Sequence, residues 1–279
     1  MTEFDAALLE KINRIQPLNP VMMELLQAIQ SENNQASDLE SIILSDANTS
    51  ATILKIANSP FYGMSGRIKS VRDACVLLGF DQLRNIIYAT ALDQASGHGP
   101  HPRWSTQLRS HTLASAVIAG TLAKQLSPPV ESGQAYALGL LHELGKQVLL
   151  SELPELFEEY MATDSAPDRG QLLSIFSEAG AIIARKWRLP EVFQHCIANA
   201  LKDRAEADSY PHELKLVRCA HGLAQALNYP SPGDDSQNSF EVCLSEMYPD
   251  LDSEALLPQL QEALSGNADL VALQQEVAP

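Results

Sequence analysis

The sequence predicts an all-α fold, and three observations carry that prediction. Strand signals are nearly absent: apolar and polar residues nowhere alternate for long, and no Asn-Gly or Asp-Gly pair separates β-branched runs. Apolar residues recur instead at the three- and four-residue spacing of helices. A serine followed three residues later by an acid, the pattern of a helix start, occurs at Ser37–Glu40 and Ser70–Asp73.

Taken in order, a first helix is expected over 4–15, stopping at Pro17 and Pro20. A second covers 21–30, and a third opens at the Ser37 cap and ends near Leu44. The next runs over 48–58, before Ser59-Pro60-Phe61-Tyr62-Gly63, which reads as a turn. Ser70–Asp73 starts a helix to Leu78 that Gly79 closes, and a longer helix covers 81–95. The clearest break is Gly97-His98-Gly99-Pro100-His101-Pro102. It divides the chain into an N-terminal helical lobe (1–96), a linker (97–102), a second helical lobe (103–228), and a loop with C-terminal packing helices (229–279). Helices in the second lobe are expected near 103–126, 131–151, 168–187, 190–201 and 211–228. The stretch 229–238, rich in Pro, Ser, Asp and Gly, reads as a loop. One or two small helices follow, one including 253–264.

The chain has 279 residues and 45% hydrophobic content, an ordinary globular composition. Its net charge of −16 argues against generic nucleic-acid or anionic-membrane binding, because such affinity comes from basic side chains displacing counterions. The first residues, Met1-Thr2-Glu3-Phe4-Asp5, are acidic where a signal peptide is basic, and apolar stretches such as 135–141 are too short to span a bilayer. A cytoplasmic protein is expected. Cys75, Cys196, Cys219 and Cys243 lack metal-finger or redox spacing and read as reduced core residues. No phosphate-binding glycine loop and no GxSxG elbow occur.

Three histidines sit on largely apolar helical faces: His111, His142 and His221. With the adjacent Glu143 they offer nitrogen and oxygen donors to a divalent metal, which would lower the pKa of a bound water. The competing reading is a hydrogen-bonded polar cluster between helices. A second group, Arg67, Lys69, Arg72 and Arg84, makes one stretch basic within an acidic chain. That stretch suits an acidic partner or a phosphorylated ligand. With Asn58, Ser59, Phe61 and Tyr62 at the preceding turn, it forms a candidate partner or ligand surface, against the plainer reading of a structural connector. Trp187 and Phe176 share a helical face at core spacing and are read as packing residues.

The blocks Leu54-Lys55-Ile56-Ala57-Asn58-Ser59-Pro60-Phe61-Tyr62-Gly63, Ile68-Lys69-Ser70-Val71-Arg72-Asp73-Ala74 and Gly139-Leu140-Leu141-His142-Glu143-Leu144-Gly145-Lys146 resemble the HDOD family. These are HD-related output domains of bacterial signalling proteins. The likeness extends through Trp187-Arg188-Leu189-Pro190 and covers roughly 15–228. It implies an N-terminal helical lobe packed on an HD-like helical bundle. HD-type phosphohydrolases hold metal with a His, a His-Asp pair and a later Asp; by position these fall on His111, His142-Glu143 and His221. Glu for Asp lengthens one arm, and His for Asp removes a carboxylate. Phe176, Ala200 and Leu201 stand where related sequences carry further histidines.

The expectation is therefore a non-catalytic signalling module that binds protein partners, with no cofactor, no catalytic residue and no metal at this vestigial site, tuned by a small ligand in the old HD cleft. The alternatives are a metal-dependent phosphohydrolase or cyclic-nucleotide phosphodiesterase using His111, His142, Glu143 and His221, and a nucleotide sensor that does not hydrolyse.

Overall fold

The structure, a computed structural model, describes residues 6–15, 18–31, 34–58, 66–95, 100–202, 212–234 and 239–277. Among these residues there are fifteen α-helices and no strand. No helix is long and apolar enough to cross a membrane.

The N-terminal lobe holds α1 (Ala6–Arg14), α2 (Pro20–Ala28), α3 (Ala36–Ile43), α4 (Ala47–Ala57) and α5 (Val71–Ala95). Local chemistry sets their starts. Pro20 occupies the first turn of α2, where its missing N–H costs nothing, and Asn19 Oδ1 accepts from Met22 N at 2.7 Å. The third helix begins before the expected Ser37 cap: Asp38 reaches back to the Gln35 N–H at 2.8 Å, so Gln35 precedes the first turn. The Ser70 signal works as expected, with Ser70 Oγ accepting from Asp73 N and Asp73 Oδ2 accepting from Lys69 N, both at 3.0 Å. α5 is interrupted at Gly79, whose φ of 75° breaks the helical path between its two expected segments.

In the second lobe come α6 (Pro102–Leu122), α7 (Ser132–Leu141), α8 (Leu144–Glu152), α9 (Pro154–Ala162), α10 (Ala166–Lys186), α11 (Glu191–Asn199) and α12 (His212–Ala226). α6 is the central rod, packed on α7, α12, α14 (Ser253–Ser265) and α15 (Ala268–Val277). α13 (Phe240–Met247) packs on α12. Three expectations fail here. The helix expected over 131–151 is two helices, broken at His142-Glu143. α9, absent from the expected series, opens with Pro154 in its first turn. The tail holds three helices where one or two were expected.

One hydrophobic core runs through both lobes, from Leu25 and Ile53 to Val217 and Leu260. A second core gathers Phe157, Tyr160 and Phe176 around Leu149, and Ile12 of α1 joins it. α1 is also tied to the second lobe by Lys186, whose Nζ donates to Ile12 O and Asn13 O. All four cysteines are buried thiols, and Trp187 and Phe176 are buried packing residues.

Close backbone approach explains part of the 139–146 block. A Cβ on Gly145 would lie 1.8 Å from Phe176 O, and Gly180 faces it across the α8–α10 crossing. Only two glycines let these helices meet at that distance.

Candidate functional site

Four side chains from three places in the second lobe converge. His111 projects from α6 and His221 from α12, while His142 and Glu143 sit in the break between α7 and α8. One donor atom from each lies within 4.8 Å of the others. The break has a local cause. His142 Nδ1 lies 2.6 Å from Gly139 O, so its ring takes the carbonyl that the N–H of residue 143 would use in a continuous helix. Glu143 then adopts φ −104°, ψ 27°, and its carbonyl accepts from Gln147 N to restart the helix.

Each ring nitrogen has a definite neighbour. His111 Nδ1 lies 2.7 Å from Tyr229 O. His111 Nε2 and His142 Nε2 both face His221 Nδ1, at 2.9 and 3.0 Å. Ser115 Oγ is 3.5 Å from His111 Nε2. His221 Nε2 lies 3.2 Å from Asp234 Oδ2 and 3.1 Å from Gln225 Nε2, and Gln225 also donates to Asp234 Oδ2.

Glu143 is held from the other side. Lys146 Nζ donates to its Oε1 at 2.8 Å, and Ser231 Oγ lies 2.9 Å from both carboxylate oxygens. Lys146 also reaches Ser231 Oγ at 2.9 Å, and its Nζ stands 5.4 Å from the Tyr160 ring centre. His111, His142, Glu143 and Lys146 are at most 1% exposed; only His221, with its side chain 14% exposed, touches solvent.

Burial decides the protonation of the two inner rings. It disfavours the imidazolium form and lowers His111 to about 4 and His142 to about 3, although Glu143 pulls the other way. Burial alone would raise Glu143, but the charge of Lys146 and the neighbouring rings outweighs it, so the carboxylate stays ionised well below its usual range. Lys146 is held above its usual value, since the attraction of Glu143 exceeds the cost of burial.

The segment after α12, read from sequence as a loop, supplies Tyr229 O, Ser231 and Asp234 to this cluster. Gly233 lets it lie flat on the Tyr160 ring: its φ is 73°, and a Cβ there would stand 2.3 Å from Tyr160 Cε1. A detectable signal was present, two polar residues and a glycine directly after a histidine-bearing helix. The aromatic group of Phe157, Tyr160 and Phe176 packs on the Lys146 side of the cluster through Tyr160, with the Tyr160 and Phe176 rings 5.2 Å apart.

Two residues of the second expected group are engaged within the chain. Asn58 is engaged by backbone: its Nδ2 donates to Leu54 O and Ile68 O, and its Oδ1 accepts from Ile68 N, which ties the end of α4 to Ile68. Arg84 pairs with Glu131 at 3.3 Å, and the same carboxylate caps α7 through Gly133 N and Gln134 N. Arg67 and Arg72 are exposed. Ser59, Phe61 and Tyr62 lie outside the described residues.

A cleft of about 500 Å³ opens where α4, α5, α6 and α15 meet, lined in part by Lys55, Asp93, Arg109, Thr112, Tyr136 and Asn267. Thr112 neighbours His111 in sequence, and its Oγ1 accepts from Gln147 Nε2 at 2.9 Å.

An all-helical bundle with a His/His-Glu/His cluster at its centre defines the HD-like class. The HDOD domain matches residues 15–202, and the chain belongs to that family. His221, within the resemblance read from sequence, lies beyond that match. In solved structures the fold is similar to an HDOD domain protein of Geobacter sulfurreducens (TM-score 0.75, 20% identity, 96% of this chain and 95% of that one). It is also similar to a Shewanella amazonensis protein whose name proposes a phosphohydrolase (TM-score 0.73, 20% identity, 98% of each chain). A third likeness is to a Marinobacter aquaeolei protein named as a candidate signal transduction protein (TM-score 0.67, 21% identity, 98% of this chain and 65% of that one). An uncharacterized Treponema pallidum protein is 28% identical over 222 residues, 77% of this chain and 42% of that protein. Bacillus subtilis YuxH is 27% identical over 141 residues, 50% of this chain and 34% of that protein. The chain thus spans less than half the length of these curated relatives.

HD-type enzymes hold metal at the position of this cluster, and the donors present here fit a single divalent ion. Tyr229 O, Gly139 O and Asp234 Oδ2 stand at the outer ring nitrogens, leaving the inner ones turned to one point. His111, His142, His221 and Glu143 would hold such an ion, which acts as a Lewis acid wherever water or substrate can reach it. Among the described residues these four are the only donors gathered at that point, enough for a single ion.

Proposed function

We propose that this chain is a non-catalytic signal-transduction module that acts by binding protein partners. The observation that carries this reading is the closure of the donor cluster: His111, His142 and Glu143 are at most 1% exposed, and the 229–234 segment lies over them through Ser231 and Tyr229. A phosphoester has to bring its phosphorus within about 3 Å of the attacking oxygen, which a covered cluster does not permit. Membership of a family of signalling output domains supports the same role.

The partner surface lies on the first half of α5 and the turn before it. Arg72 and Val76 are four residues apart and share a helical face, and Val76 is 73% exposed. Leu77, Arg67 and Lys69 are exposed beside them. Apolar area ringed by positive charge on an otherwise acidic protein suits a partner helix or loop carrying acidic and apolar side chains. A tuning ligand fits the cleft between α4, α5, α6 and α15 better than the closed cluster.

Two measurements test this. Hydrolysis of bis(p-nitrophenyl) phosphate and of cyclic mono- and dinucleotides, with manganese, magnesium or zinc supplied, is expected to stay at the level of the His142→Ala variant. Turnover well above that variant overturns the reading. Capture of binding proteins from the source cells should give a band that Arg72→Glu with Val76→Asp removes. Identical capture by wild type and variant sinks the surface.

A further inference from the structure

We propose that the cleft where α4, α5, α6 and α15 meet binds a small zwitterion with an apolar body, an amino acid or dipeptide of the leucine or phenylalanine kind. The proposal gives a chemical class to the tuning ligand and rests on that part of the proposed function. Binding itself requires nothing of the partner surface.

The floor of the cleft is apolar, with Leu108, Leu140 and Leu150 in its lining. Its volume of about 500 Å³ lies within the range of roughly 300–1,000 Å³ of small-molecule sites, which are mostly apolar with a few placed polar groups. One of those groups is an unused donor. Asn267, 2% exposed, stands just before α15, and its Oδ1 accepts from Leu270 N at 3.0 Å. That bond assigns the oxygen to the helix end, because an amide NH2 cannot accept there. The Nδ2 group keeps both hydrogens and has no hydrogen-bond partner among the described residues, in the wall of the cleft. A buried donor without an acceptor is costly, and a carbonyl or carboxylate oxygen in the cleft satisfies it.

Charge narrows the class. Lys55 and Arg109 line the cleft together with Asp93, Asp269 and Glu276. Arg109 is paired with Asp93 at 3.0 Å, which leaves Lys55 against the two carboxylates of α15. Lys55 makes no ion pair among the described residues. Asp269 and Glu276 are two helical turns apart and lie on one side of α15. A nucleotide brings several negative charges to this net-negative rim, where no glycine-rich loop receives them. An alkyl chain alone leaves the Asn267 amide unsatisfied. A zwitterion answers each feature: its ammonium group takes Asp269 or Glu276, its carboxylate takes Lys55 and the Asn267 amide, and its side chain covers the leucine floor.

The test titrates the full chain with leucine, phenylalanine and leucyl-leucine, read by calorimetry and by Tm. One molecule per chain is expected, with a Tm that rises with ligand concentration. N-acetyl-leucine lacks the ammonium charge and leucinamide the carboxylate, and each should bind roughly tenfold more weakly than leucine or worse. Asp269→Asn should shrink the first difference and Lys55→Met the second. Asn267→Asp keeps the acceptor that starts α15 but deletes the donor, so it should lower affinity while the ligand-free Tm stays near that of wild type. Ala272→Trp, at an exposed position of α15 in the cleft lining, should block binding, whereas Arg72→Glu should leave it unchanged. No saturable binding of any of the three probes overturns the assignment. So does equal affinity for leucine and N-acetyl-leucine, tighter binding of ATP or of an alkanoic acid, or unchanged affinity in Asn267→Asp. Leucine binding as expected, with partner capture identical in its presence and absence, would sink the tuning role and still support the cleft.

Discussion

Around His111, charged side chains face one another inside the protein, whereas along the first half of α5 Arg72 projects into solvent beside Val76. Glu143 takes two donors, Lys146 touches a carboxylate, a hydroxyl and an aromatic ring, and the histidines bond backbone and each other. Arg67, Lys69 and Arg72 make no ion pair among the described residues. The difference separates a region that holds the bundle together from one available to another molecule. Chemistry-bearing residue types are concentrated in the first region, yet accessibility belongs to the second.

Substitution should expose that contrast most sharply at the ion pair. Lys146→Met leaves Glu143 buried without its cation, and the expected loss is about 3–5 kcal/mol by chemical denaturation. Arg72→Met, on the open face, should change stability by no more than about 0.5 kcal/mol. Equal small losses at both positions would mean that the cluster is far wetter than its burial implies.

The second effect is acid sensitivity of the metal-free protein. His111 and His142 titrate at about 4 and about 3 when folded, against 6.5 as ordinary side chains. Between those values the unfolded chain binds protons that the folded one does not, so stability must fall as pH drops below 6.5 and level off below about 3–4. Each ring contributes up to about 1.4 kcal/mol per pH unit inside that window. Glu143, depressed in the folded state, adds a loss at still lower pH, below its ordinary 4.5. Denaturation midpoints between pH 7 and 4 check this: in His111→Gln the slope should shrink, and in Arg72→Met it should not.

Much of this was legible in the sequence because it is local. Ser70–Asp73 and Gly79 mark the ends of helices through bonds made within a few residues, and His111, His142, Glu143 and His221 stand out by residue type on apolar faces. What escaped is non-local or competitive. The 131–151 stretch has unbroken helical periodicity, and its break depends on the His142 ring taking Gly139 O. Ser231 and Asp234 read as loop because their partners are 88 and 13 residues away. Arg84 and Asn58 read as surface residues, yet Glu131 and the backbone at Ile68 hold them.

Gly145→Ala should fall between the ion pair and the surface. The new methyl would meet Phe176 O at 1.8 Å, and the α8–α10 crossing has to spread. Overpacking of this kind costs typically 1–3 kcal/mol, and it would also displace α8, which carries Lys146. Gly170, on α10 with nothing near its Cβ direction, is the matched control: Gly170→Ala should be neutral or slightly stabilising through helix propensity. A Gly145→Ala protein as stable as wild type would mean that the two helices do not meet at this contact.

The smallest expected change in stability belongs to the open face, and it decides what that face is for. Reversing Arg67, Lys69 and Arg72 to glutamate should leave Tm nearly unchanged, since each side chain is exposed. In a chain of net charge −16 the triple reversal removes the positive patch entirely, so an acidic partner guided by it should bind more slowly, with the loss greatest at low salt. A partner that associates equally fast with wild type and triple variant across ionic strength does not use this face, and the contrast between a closed interior and a receptive surface would then have to be drawn at the cleft between α4 and α15.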